Sequence, residues 1–130
     1  MNNTELRSPL GRIRGLGSAK AGSGHWWVMR LTALALVFLC GWFVVTLLVC
    51  LQSGDYEATL AWLRHPVSAT AMCLLLAVGF HHTANGLQTV IEDYVHCPCG
   101  RAFSIITVKF LSVVMAVIGI IAVGKIAFGG

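Results

Sequence analysis

The run PVSATAMCLLLAVGFHHTANGLQTVI, Pro66 to Ile91, decides how this chain folds. It holds no Lys, Arg, Asp or Glu, and it exceeds the roughly 20 residues a helix needs to cross the hydrocarbon core of a bilayer. Pro66 stands where a helix-opening proline belongs, because its missing N–H is one of the first-turn donors that has no partner anyway. The second half of the run is not plain hydrocarbon. His82, Gly86 and Thr89 interrupt it, and Asp93 and Tyr94 follow. At about 100° per residue, His82, Gly86, Thr89 and Asp93 fall within an arc of roughly 60°, and His82 and Asp93 are roughly 16 Å apart along the axis. Ionisable and metal-binding groups are costly inside a membrane, so one helix face carrying them marks a functional site.

Two further runs of similar length flank this one, from about Trp27 to Leu51 and from about Ala102 to Ala127. With 57% hydrophobic and only 11% charged residues, the chain lies far from the balance of a soluble domain. The fold expected is therefore all-α: an integral-membrane protein of three transmembrane helices, working as part of a multi-subunit helical bundle. Residues 1–25 read as a polar arm and residues 26–130 as the membrane anchor. The first run is too long for a signal-peptide core, and no small-residue cleavage site follows it.

The net charge of +4 comes largely from Arg7, Arg12, Arg14, Lys20 and Arg30, all within the first thirty residues. Such an arm sets topology and touches anionic head groups of the membrane lipid. No basic stripe, aromatic platform or recognition motif accompanies it, which excludes nucleic acid as a partner. The arm's composition also fits a mitochondrial targeting segment, but it lacks a clear amphipathic period. It reads as a cytoplasmic tail of a bacterial inner-membrane protein rather than of a mitochondrial one. The loop from Gln52 to His65 carries Asp55, Glu57 and only Arg64, which suits the outer face. The second loop returns inside with Arg101 and, nearby, Lys109. Trp26, Trp27 and Trp62 fall at the expected membrane boundaries.

Each candidate site residue has two readings. His82 is either a histidine hydrogen-bonded to a neighbouring helix or an axial ligand to haem iron through a neutral ring nitrogen. His81 points about 100° away, toward packing or a partner. One chain offers one good ligand at this depth, so a haem held by two histidines needs the other from a partner subunit. Asp93 and Tyr94, at the cytoplasmic end of the second span, are either a solvated acid and an interfacial anchor or a quinone-binding pair. A phenol donates to a quinone carbonyl, and a nearby acid supports the protons that accompany reduction. Arg30 lies one turn inside the first span, at the depth of that pair. It is either a snorkelling charge or a partner for a haem propionate or a quinone oxygen. The cluster His96-Cys97-Pro98-Cys99 offers three ligands in four residues, too tight for structural zinc. Cys40, Cys50 and Cys73 read as packing residues, and the five cysteines form no disulfide framework.

Taken together, Arg14-Gly-Leu-Gly-Ser-Ala-Lys20, His25-Trp-Trp-Val-Met-Arg30-Leu-Thr-Ala33, Gly79-Phe-His-His82, Gly86 through His96, and Lys125 to Gly130 carry a resemblance over nearly the whole chain. The chain resembles the hydrophobic membrane-anchor subunits of succinate dehydrogenase, in the form of alphaproteobacterial and mitochondrial-type versions. The spacing His-x3-Gly-x6-Asp-Tyr is its specific part. The resemblance implies that this chain and a second membrane chain, the cytochrome b anchor subunit, each supply three helices and enclose one haem b. It further implies docking of an iron–sulfur subunit and a flavoprotein subunit that oxidises succinate. Residue by residue, it implies His82 as the axial ligand to haem iron, Tyr94 as the donor to ubiquinone with Asp93 beside it, and Arg30 at a haem propionate or in the quinone pocket. The chain would be non-catalytic alone. A purely structural anchor binding neither haem nor quinone is the alternative, and the same architecture could run fumarate reduction. A transporter or channel subunit would need polar residues along several spans, whereas the first and third are almost wholly apolar.

Overall fold

A computed structural model describes residues 22–129. The basic arm, with Arg7, Arg12, Arg14 and Lys20 and the topological role expected of them, lies outside the described residues. Four helices occur among the described residues: α1 (Gly22–Ser53), α2 (Tyr56–Arg64), α3 (Pro66–Tyr94) and α4 (Pro98–Phe128). Of these, α1, α3 and α4 are long and apolar enough to cross a membrane, so the expected all-α architecture with three spans is what is found. They contain 32, 29 and 31 residues. At 1.5 Å per residue each measures roughly 45 Å, so their ends extend beyond the roughly 30 Å hydrocarbon layer or tilt within it.

The boundaries follow local chemistry. Gly54 adopts φ +62° just past the end of α1, a left-handed conformation that suits a residue without Cβ. Its N–H bonds back to the Cys50 carbonyl at 3.3 Å. His65 and Cys97 both have extended backbones, with ψ 128° and 120°, because each precedes a proline whose ring excludes the helical region. Pro66 and Pro98 then open α3 and α4. The third span thus begins one turn earlier than its apolar run suggests. α1 likewise starts at Gly22, taking residues 22–25 out of the expected arm and into helix.

The loop from Gln52 to His65 departs most from expectation, since most of it is helix α2. Asp55 caps it, its carboxylate accepting the Glu57 N–H at 3.0 Å. Glu57 in the first turn and Arg64 in the last complement the helix dipole. The Trp62 ring lies 5.6 Å from that of Trp42, tying α2 to α1.

The three spans form a row with α3 in the middle. It packs along α4 on one side and α1 on the other, while α1 and α4 do not meet among the described residues. Four of the five buried residues, Ser68, Ala69, Ala84 and Asn85, therefore belong to α3, and the fifth is Val123 of α4. Small residues there let the backbones approach, which matters in lipid because hydrocarbon tails compete with any apolar contact between helices. A close approach is at Gly119, where a Cβ would stand 2.9 Å from Leu76 Cδ1. Gly119→Val is expected to wedge α3 and α4 apart and destabilise the packing by about 1–3 kcal/mol. A lowered thermal midpoint of the detergent-solubilised assembly would register it. Gly119→Ala should do much less, because Leu76 can swing its methyl aside.

Candidate functional site

α1 and α3 run antiparallel, and their register is set by the contact of Thr32 with His82 and by Leu36, whose Cδ2 lies 3.8 Å from where a Cβ at Gly79 would stand. Near the N-terminal end of α1 the two helices border an open groove of about 520 Å³. His25, Trp26, Met29, Arg30 and Ala33 line it from α1, and His82 and Thr89 from α3. Gly86 lies between the last two on the same arc, and a Cβ built there meets nothing within 4 Å. The space beside Gly86 is therefore open.

His82 is half-buried and its Nδ1 lies 2.8 Å from Thr32 Oγ1. The hydrogen bond to a neighbouring helix, one of the two readings of this residue, is thus present. It uses one ring nitrogen and leaves Nε2 for a ligand. His81 is turned to the other side of α3. Its Nε2 is 3.0 Å from Asn85 Nδ2, and it borders a separate cavity of about 370 Å³ between α3 and α4. Lys109, expected near the inner loop, lines that cavity about three turns into α4.

Arg30 shares the groove of His82 and Thr89 rather than standing beside Asp93 and Tyr94. Its guanidinium lies 5.2 Å from the centre of the Trp26 ring, an i,i+4 cation–π contact. Trp26 is thereby part of the site as well as a boundary residue. The pattern His25-Trp-x3-Arg30 carried that signal in the sequence. Thr32 carried none, because which hydroxyl of an apolar helix meets α3 depends on tertiary register.

Asp93 and Tyr94 do not line the groove. They end α3 one turn beyond Thr89, and both are exposed. Tyr94 is 78% exposed. Neighbouring Glu92 is engaged by Gln88 at 2.7 Å. His96 bonds through Nδ1 to the Tyr94 carbonyl, and Cys97 caps α4. Among the described residues no three His, Cys, Asp or Glu side chains converge as a metal-ion site.

A chain whose described residues are almost all helical, which exposes many large apolar side chains and brings polar ones together in a groove between two spans, is an integral-membrane subunit built to be completed by other chains. It belongs to the succinate dehydrogenase/fumarate reductase transmembrane subunit family, which it matches over residues 4–124. It is 32% identical over 119 residues to the succinate dehydrogenase hydrophobic membrane anchor subunit of Rickettsia bellii, covering 92% of this chain and 94% of that one. The protein of the same name from Paracoccus denitrificans is 31% identical over 103 residues, 79% of each chain. The succinate dehydrogenase membrane anchor subunit of Reclinomonas americana is 22% identical over 96 residues, 72% of this chain and 80% of that one. No solved structure matches the chain.

Proposed function

We propose that this chain is the membrane-anchor subunit of a succinate:quinone oxidoreductase, contributing one side of a haem b site and part of a ubiquinone site. The observation that carries the reading is the groove that His82, with Nε2 left over, and Arg30 line together, with open space at Gly86 on the same helix face as His82. This donor set fits a flat ligand with a metal centre and an anionic edge. His82 Nε2 would bind the iron and Arg30 would hold a propionate. When bound, haem b supplies a one-electron centre whose potential depends on axial ligands and surroundings.

The chain's remaining work concerns the quinone. Succinate oxidation in a flavoprotein partner releases two electrons and two protons, and an iron–sulfur partner carries the electrons to the membrane. Quinone takes up two electrons and two protons to become quinol. Tyr94 donates a hydrogen bond to the quinone oxygen on which negative charge develops, and Asp93 beside it handles a proton near the interface. Both sit at the end of α3 where a partner can close over them. A cytochrome b anchor subunit would supply a further histidine for the haem and the missing walls.

The reading is tested by purifying the tagged chain from its native membrane in mild detergent. Flavoprotein and iron–sulfur subunits should co-purify, with a b-type band in the reduced-minus-oxidised visible spectrum. Co-purification without that band would move the chain to a structural anchor free of haem.

The orientation proposed has the N-terminal arm and the turn at Cys97 in the cytoplasm, with α2 outside. Alkaline phosphatase fused after Asp55 should be active, and fused after Cys97 inactive. The reverse pattern would invert the topology.

A further inference from the structure

We infer that Thr32 is the positioning residue for His82: it fixes the tautomer and plane of the imidazole from the neighbouring helix, so that Nε2 presents its lone pair to the groove. This rests on the reading of His82 as the haem ligand. Three distances carry it. Thr32 Oγ1 lies 2.7 Å from the Val28 carbonyl oxygen, 3.2 Å from that of Met29 and 2.8 Å from His82 Nδ1.

A hydroxyl has one hydrogen to give and two lone pairs with which to accept. Carbonyl oxygens only accept, so the close approach to Val28 is a hydrogen bond only if Thr32 spends its hydrogen there. This is the i−4 back-bond that helical threonines commonly make. The Oγ1 atom can then only accept from the imidazole, and Nδ1 must carry the proton. In a neutral ring that leaves Nε2 unprotonated, the form that binds a metal. If Thr32 gave its hydrogen to Nδ1 instead, two lone-pair-bearing oxygens would face each other at 2.7 Å with nothing between them.

The geometry is also rigid. Thr32 is half-buried, its β-branched side chain restricts χ1, and its oxygen is held against its own helix. The ring plane of His82 is consequently set by the register of α1 against α3. A hydrogen bond to the far nitrogen also raises the basicity of a ligating imidazole. Loss of such outer partners typically weakens metal binding by about 10–100-fold.

The experiment uses the assembled complex, with wild type, Thr32→Val, Thr32→Ser and His82→Ala compared side by side. The readouts are haem content per complex, the rate of haem loss to excess apomyoglobin, and the low-spin electron paramagnetic resonance signal of the oxidised haem. Thr32→Val, nearly the same shape without the hydroxyl, is expected to lose haem about 10–100 times faster and to show a shifted or split low-spin signal. Thr32→Ser, which keeps the hydroxyl, should restore both. Wild-type retention and signal in Thr32→Val, with haem lost in His82→Ala, would overturn the positioning role alone. Haem kept in His82→Ala would overturn the ligand reading and this inference with it. Should Thr32→Val fail to assemble, Thr32→Ala removes the hydroxyl without adding bulk and is read by the same criteria.

Discussion

Replacing His82 with alanine is expected to strip haem b from the assembled complex while the partner subunits remain. The size of the effect follows from what is removed. Changes to groups behind a metal ligand already cost about 10–100-fold in affinity, and deleting the ligand itself should exceed that. Any histidine contributed by a partner subunit would then have to hold the haem without His82. Assembly should survive, because His82 contributes one hydrogen bond to the α1–α3 contact, worth about 1 kcal/mol, while the apolar packing of α3 on its neighbours is untouched. The difference spectrum of the purified variant should lack the b-type band while gel bands of the other subunits persist. A full haem complement in His82→Ala would remove this histidine from the iron. His81 would not inherit the role, since it faces the α3–α4 cavity and not the groove.

Tyr94→Phe is expected to separate two activities that normally run together. The ring, the helix end and the charge all stay, and only a hydrogen-bond donor disappears. Where such a donor stabilises charge forming on an oxygen, its removal costs roughly 10²-fold or more in turnover. Quinone reduction should fall by about that much, while succinate oxidation with a soluble dye acceptor keeps its rate, because electrons then leave before the membrane. Equal loss in both assays would mean that the variant harms docking of the catalytic subunits. No loss in either would return Tyr94 to the role of an interfacial anchor, which its 78% exposure in the isolated chain also accommodates.

The spans are plain in the sequence because hydrophobic length is a one-dimensional property. Pro66 even marks the first residue of α3. Helix α2 is hard to read for the opposite reason: nine residues with two charges and no buried side chain look like a loop. Its signs are small, an acid at Asp55 to cap it and the apolar spacing of Leu60 and Leu63. The arc from His82 to Thr89 is legible from helix periodicity, and both residues do face one groove. The place of Arg30 is not. Its depth, counted from an apolar boundary at Trp27, misleads because α1 begins at Gly22, and the antiparallel register brings Arg30 opposite the His82–Thr89 stretch. Thr32 shows the same limit. Periodicity says which residues share a face of one helix, but only the pairing of two helices says which hydroxyl meets which imidazole.

The scarcity of interior has a cellular consequence. With five buried residues among those described, the chain cannot hide its groove or the exposed end of α3 by folding alone. Its durability is conferred by association, in the way that obligate partners share a single stability. A copy made in excess would present an unfilled groove and loosely held helices to membrane proteases, and its lifetime would be short. The ratio of subunits could then be kept by selective removal of orphans, without matched rates of synthesis.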